Sequence, residues 1–216
     1  MSGRWKAERR RDPYIRMARK KGYRSRAAFK LIQLNKRFHF LDEARYIVDL
    51  GAAPGGWLQV VAEHLPRDGL AVGVDLKPIK PLEAENVITL EGDALEDETL
   101  KRLRRLFPRG VDVVLSDMSP SISGVWEIDH RRQLDLARAA LRIALELLRP
   151  DGWLVVKAFQ GSEYESFLRE VKASFSYVKA HKPLASRKGS AEIYVVARGL
   201  RRGAPSRPSQ PWSLPG

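Results

Sequence analysis

The chain has 216 residues, 44% of them hydrophobic, with no cysteine and a formal net charge of +13. That length supports one compact core, and the missing cysteine excludes disulfides, thiolate metal sites and a cysteine nucleophile. No run of about 18 apolar residues is present and Met1-Ser-Gly-Arg-Trp-Lys6 lacks the apolar stretch of a secretory signal, so a cytoplasmic protein without membrane association is expected.

The charge is uneven along the chain. Residues 1–37 hold 14 Lys and Arg against Glu8 and Asp12, a net of +12, whereas the other 179 residues carry 25 basic and 24 acidic side chains. A segment of that charge suits a polyanion, although a solvated basic arm has the same composition. Two short helices are expected within it, over 12–22 and 25–38, the second with Ser25 as N-cap and Ala27, Ala28, Leu31, Leu34 and Phe38 near a stripe that has to dock on something. Lys20, Lys21, Arg24, Arg26 and Lys30 would then be aimed at a fixed place.

From residue 46 onward, short Val/Ile/Leu-rich runs alternate with helical periods, the pattern of a mostly parallel α/β sheet. Strands are expected near 46–50, 70–75, 86–91, 111–116, 152–158, 175–180 and 190–197, and helices near 56–65, 97–107, 129–148 and 162–173. Leu134, Ala137, Leu141, Ala144 and Leu148 step by three and four, a core-facing stripe that stops at Arg149-Pro-Asp-Gly152. The organisation expected is a basic N-terminal helical extension (1–44), an α/β domain (45–199) and a disordered proline-rich tail (200–216).

Tyr46-Ile-Val-Asp-Leu-Gly-Ala-Ala-Pro-Gly-Gly-Trp57 is a strand running into a glycine-rich turn and a helix. Gly51, Gly55 and Gly56 remove Cβ atoms that would hold a ligand off the backbone, and the helix start offers free N–H groups. Gly51, Ala53 and Gly56 fit the dinucleotide spacing, with Asp75 at about the expected distance, but Pro54 has no N–H for a pyrophosphate. Asp75, Asp93 and Asp117 each follow or end a strand; strand-end Asp residues often cap turns, yet three around one glycine loop point to a ligand crevice. Asp75 would accept ribose hydroxyls and Asp93 would read an adenine edge. Net negative charge there favours a cationic nucleoside such as S-adenosylmethionine over a phosphate-bearing one.

Five motifs, Arg24-Ser-Arg-Ala-Ala-Phe-Lys30, Asp49-Leu-Gly-Ala-Ala-Pro-Gly-Gly-Trp57, Ser116-Asp-Met-Ser-Pro120, Val155-Val-Lys-Ala-Phe-Gln-Gly161 and Ser190-Ala-Glu-Ile-Tyr194, occur in this order. With them the chain resembles the FtsJ/RrmJ ribose 2′-O-methyltransferases over roughly residues 12–199. The resemblance implies a Rossmann-like class I fold with a seven-stranded sheet and helices on both faces. It implies S-adenosylmethionine held by Gly51, Pro54, Gly55, Trp57, Asp75, Asp93 and Asp117, and a catalytic tetrad of Lys30, Asp117, Lys157 and Glu192, with no metal. Ser119-Pro120 is a small departure, since relatives often carry Ala-Pro there.

The chemistry fits those residue types. A ribose hydroxyl is a poor nucleophile until its proton leaves, and a lysine whose charge is disfavoured by burial and a neighbouring cation can take it. Lys157 near Lys30 meets that description, with Asp117 and Glu192 orienting them. Arg24 and Arg26, with Lys20 and Lys21, become the expected RNA backbone clamp. The expected substrate is large-subunit ribosomal RNA, or the large subunit itself, at a uridine of the A-loop, acted on by a monomer. Transfer RNA anticodon-loop methylation is the nearest alternative; a non-catalytic RNA-binding module and a nucleotide-dependent oxidoreductase are the others.

Overall fold

In the computed structural model, which describes residues 12–201, thirteen elements follow one another. Residues before 12 and the tail beyond 201 lie outside the described residues, and with them part of the basic segment and nearly all of the expected disordered tail. Helix α1 spans Pro13–Lys21 and α2 Ala28–Phe38. They are followed by β1 (Tyr46–Leu50), α3 (Gly56–His64), β2 (Leu70–Asp75), β3 (Val87–Glu91), α4 (Asp97–Leu106) and β4 (Val111–Ser116). The last five are α5 (Trp126–Leu147), β5 (Leu148–Phe159), α6 (Tyr164–Ser174), β6 (Phe175–His181) and β7 (Glu192–Leu200).

The strands form one sheet in the order β3-β2-β1-β4-β5-β7-β6. Pairs from β3 to β5 are parallel, and β7 runs antiparallel to both neighbours. Strand order therefore reverses beside β1 and β4, which opens a crevice at their carboxyl ends. One face of the sheet packs Leu100, Leu103, Leu134, Leu141 and Phe167 from α4, α5 and α6; the other packs Leu31, Leu34, Trp57 and Leu58 from α2 and α3. The stripe of α2 thus belongs to the main core. Each fully buried leucine there contributes about 1.5–3 kcal/mol by leaving water.

Three local details depart from the sequence reading. Helix α2 begins at Ala28 with Ala27 as an uncapped N-cap, so Ser25 is not its cap; the Ser25 hydroxyl instead occupies the space a Cβ on Gly56 would fill, 2.2 Å from that position. Helix α5 begins at Trp126, three residues early, because Asp129 folds back to accept from the Ser123 and Gly124 N–H groups at 2.8 and 3.1 Å. Finally, extended pairing starts at Leu148, directly after α5, and shifts register between Val111 and Val113. Gly152 permits that bend, since a Cβ there would lie 2.8 Å from Leu148 Cδ2.

Candidate active site

The turn after β1 is shaped first by its protein neighbours. Gly51 (φ +74°) and Gly55 (φ +102°) adopt left-handed backbone that favours glycine. Cβ atoms there would approach Met118 Cγ to 2.7 Å and Arg24 Nη1 to 2.8 Å. The glycines therefore let Met118, just beyond β4, and residues 24–25 close on the turn, a use the sequence reading did not include. Pro54 is exposed at the tip. Trp57 is 3% exposed, its indole N–H donates to the Ala27 carbonyl at 2.8 Å, and its ring lies 5.9 Å from that of Tyr194. It joins α2 to β7 from within the core.

Asp75 Oδ2 accepts the Ala53 N–H and Oδ1 the Lys77 N–H, both at 2.9 Å, so this carboxylate braces the turn. Each oxygen keeps a second lone pair for a ligand. Asp93 Oδ1 accepts the Leu95 N–H at 2.9 Å, a local turn bond, and the Gly92 N–H donates to the Asp75 carbonyl at 3.0 Å, which draws the ends of β2 and β3 together.

Asp49, inside the apolar run of β1, was not singled out from the sequence. It is 1% exposed, and neither carboxylate oxygen has a hydrogen-bond partner. Burial first, then the negative charges of Asp117 and Asp75, push its carboxyl well above the usual carboxylate range. A cationic ligand beside these three acids would relieve that cost, whereas a phosphate would add to it. The residues present therefore fit a sulfonium-bearing nucleoside.

The four tetrad residues come together across the sheet. Lys30 Nζ on α2 donates to Glu192 Oε2 at 2.7 Å and stands 3.9 Å from Asp117 Oδ1. Lys157 Nζ, on β5, lies 3.2 Å from the same Asp117 oxygen, donates to the Asp117 carbonyl at 2.9 Å and is bonded to the Ser119 hydroxyl. Glu192 Oε1 accepts from Ser186 Oγ at 2.7 Å. Tyr194, opposite Lys157 in the β5–β7 register, donates its hydroxyl to Asp117 Oδ1 at 2.7 Å, and Lys30 Nζ lies 5.6 Å from its ring centroid. Tyr194 and Ser119 complete an arrangement the sequence reading had drawn with four members.

Electrostatics follow from this geometry. Burial alone would raise the Asp117 carboxyl, but the Lys157 and Lys30 charges and the Tyr194 hydroxyl outweigh it and hold Asp117 below the usual range. Burial, then the charges of Asp117 and Glu192, push the Tyr194 phenol well above its ordinary value, so it remains a donor. A buried carboxylate is thus fixed between two amines, next to the crevice holding Asp49 and Asp75.

The expected RNA clamp divides in two. Arg24 donates to the carbonyls of Pro54, Lys80 and Pro81, tying the turn to the segment after β2. Arg26 pairs with Asp12 and donates to the Ala185 carbonyl, fixing the start of α1 and the loop before β7. Both guanidiniums are engaged in holding the scaffold. Lys20 and Lys21 are exposed at the end of α1, with Arg16 and Arg19.

Comparison with known proteins agrees with this fold. The family model described as FtsJ-like methyltransferase matches residues 23–200. A protein of Methanothrix thermoacetophila named Ribosomal RNA large subunit methyltransferase E is 50% identical over 190 residues, 88% of this chain and 73% of the relative. One of the same name from Archaeoglobus fulgidus is 50% identical over 193 residues, 89% of this chain and 98% of the relative. Among solved structures, a Plasmodium falciparum chain described as a ribosomal RNA methyltransferase superposes with a TM-score of 0.73 at 28% identity, covering 82% of this chain and 98% of its own. The sheet order and helical layers are those of the Rossmann-like class I methyltransferases. With the motifs, the fold and the assembled site in agreement, the chain belongs to the FtsJ-like methyltransferase family.

Proposed function

We propose that this protein transfers a methyl group from S-adenosylmethionine to a ribose 2′-hydroxyl of large-subunit ribosomal RNA, at a uridine of the A-loop. The observation that carries the reading is the Lys30–Asp117–Lys157–Glu192 cluster beside the acid-lined turn. The large-subunit assignment is supported by the names of the archaeal relatives, whose identity extends over nearly nine-tenths of the chain.

When bound, S-adenosylmethionine supplies an electrophilic methyl on a sulfonium. Gly51, Pro54 and Gly55 would border it, Asp49 and Asp117 would balance its positive charge, and Asp75 and Asp93 would accept from its hydroxyl and amino groups. Trp57 would act from behind, by fixing Tyr194 and the start of α2.

Lys157 is the base. Its Nζ is placed by the Asp117 carbonyl and the Ser119 hydroxyl. As the 2′-hydroxyl attacks, its proton passes to Lys157. Lys30, held by Glu192, gives the ribose oxygen a fixed cationic neighbour, and Asp117 holds both amines near one oxygen. Alignment of oxygen, methyl and sulfur accounts for much of the acceleration, since positioning supplies about 7–11 kcal/mol in favourable cases. Lys20 and Lys21 hold RNA phosphates without reading sequence.

Incubating the protein and labelled methyl donor with large ribosomal subunits, free ribosomal RNA and transfer RNA, then mapping the label by mass spectrometry, tests the reading. Label on a ribose of large-subunit RNA is expected; label confined to transfer RNA or to a base would replace it.

A further inference from the structure

Four large apolar side chains within seven residues, Ile122, Val125, Trp126 and Ile128, stand 43–67% exposed where β4 gives way to α5. Single exposed apolar residues are ordinary, whereas such a cluster marks a contact surface. None of them takes part in the chemistry assigned above.

Trp126 is fixed in place. Its ring lies nearly parallel to those of His130 (19°, centroids 5.5 Å apart) and Phe159 (14°, 6.2 Å). His130 is 2% exposed and accepts the Glu163 N–H through Nε2 at 3.2 Å. Its ring is seated so closely on Gly161 that a Cβ there would come within 2.7–2.9 Å of three ring atoms. The turn before Trp126 is held by Asp129, which accepts the Ser123 N–H and hydroxyl at 2.8 Å and the Gly124 N–H at 3.1 Å. Despite this packing, 45% of Trp126 remains exposed. An aromatic surface ordered in advance loses little entropy when a ligand arrives.

Its position is as informative. Phe159 lies two residues beyond Lys157 on β5, roughly 6.6 Å along the strand and on the same side by strand alternation, and it is opposite Glu192 in the β5–β7 register. Helix α5 packs on the other face, against Val156 and Ala158. Trp126 therefore meets Phe159 over the carboxyl end of β5, next to the tetrad. Arg132, exposed on α5 one turn beyond Ile128, adds positive charge beside the patch.

We infer that Trp126, rimmed by Ile122 and Val125, is the stacking platform for the nucleobase of the nucleotide whose ribose is methylated. The inference rests on the reading of the acceptor as an RNA ribose. Base and ribose of one nucleotide are neighbours, so a ribose at Lys157 carries its base to the adjoining surface. A flat indole accepts any unpaired base by its π-face but not one enclosed in a duplex. The platform thereby selects for a turned-out nucleotide, leaving sequence to be read elsewhere.

The test compares wild type with W126A, W126F and W126Y, using an RNA hairpin with unpaired loop bases and a fully paired duplex of the same length. The readouts are RNA affinity by anisotropy, KM and kcat for methyl transfer, and donor affinity by calorimetry. W126A is expected to weaken hairpin binding and raise KM about tenfold, with W126F and W126Y within about threefold of wild type; duplex and donor affinity should not change. The platform is overturned if W126A matches wild type on the hairpin, if duplex binding falls equally, or if W126F and W126Y are as impaired as W126A. Loss confined to assembled subunits would also overturn it, in favour of a protein contact. Absence of RNA methylation by wild type would remove the functional reading instead, and the anisotropy comparison would still decide the platform.

Discussion

The Tyr194 hydroxyl donates a 2.7 Å hydrogen bond to Asp117 Oδ1, the oxygen that also stands 3.2 Å from Lys157 Nζ and 3.9 Å from Lys30 Nζ. One carboxylate oxygen thus gathers three side chains from α2, β5 and β7. Tyr194 is fully buried, so the bond is shielded from water. Replacing it with phenylalanine removes the donor with little change of shape. A hydrogen bond to a charged group contributes about 1.5–3 kcal/mol, so Tyr194→Phe should lower kcat by roughly ten- to a hundredfold. The pH profile gives a separate sign. Asp117 is held below the usual carboxylate range, so its stabilising ionisation is present above that range and is lost as pH falls through its folded value. Without the Tyr194 bond that loss comes at higher pH, and the acid limb of activity should move upward.

Asp49 gives the opposite sign. Its folded pKa is raised, so between the ordinary carboxylate value and the folded value the native state holds more protons than the unfolded chain. Stability is therefore fully present below the ordinary value and falls as pH rises through the folded one. Asp49→Asn should remove this slope, raise Tm of the donor-free protein at neutral pH and weaken donor binding. Calorimetric melting from pH 4 upward, with a donor titration of both proteins, checks the prediction; a lower Tm at neutral pH would contradict it.

The two kinds of cation separate in binding experiments. Lys20→Ala with Lys21→Ala should weaken RNA binding and reduce the slope of log affinity against log salt by up to about 1.4, on roughly 0.7 per phosphate contact for single strands, while donor affinity holds. Arg24→Ala should act the other way, because Arg24 bridges the Pro54, Lys80 and Pro81 carbonyls around the turn. Its donor affinity should fall, with the salt slope unchanged.

Ser119 gives a milder test. Its hydroxyl is hydrogen-bonded to Lys157 Nζ, and a typical hydrogen bond contributes about 0.5–1.5 kcal/mol. Ser119→Ala should lower kcat by about two- to tenfold and leave KM for RNA in place, measured at saturating donor.

The strands and the core-facing helices were legible because Val/Ile runs and three-four periodicity are local signals; β1, β2 and β4 begin and end where expected. The tetrad was legible through its motifs, although its closeness depends on α2 docking across from β5 and β7. What escaped the sequence reading is non-local. Arg24 and Arg26 are indistinguishable in composition from Lys20 and Lys21, and only the fold brings the Pro54 carbonyl, Asp12 and the Ala185 carbonyl to them. Gly51 faces Met118, which follows β4, so a glycine that reads as ligand clearance is also packing clearance. Asp49 and Tyr194 were quoted within motifs, but their roles emerge only when neighbouring strands bring Asp75 and Asp117 close. The early start of α5 at Trp126 depends on the Asp129 turn, which the unremarkable Ser123-Gly-Val-Trp126 stretch does not announce.

The role proposed for Lys157 is to activate a ribose 2′-hydroxyl of large-subunit RNA. The most direct measurement is the single-turnover rate of labelled methyl transfer to that RNA by wild type and Lys157→Ala, with the product digested to nucleosides and donor affinity measured alongside. A base of this kind contributes about 10²–10⁴-fold. Wild type should yield a 2′-O-methylated nucleoside, and the variant should lose at least about a hundredfold in rate at unchanged donor affinity. Transfer by Lys157→Ala at the wild-type rate, or a methyl group found on a base, would contradict it.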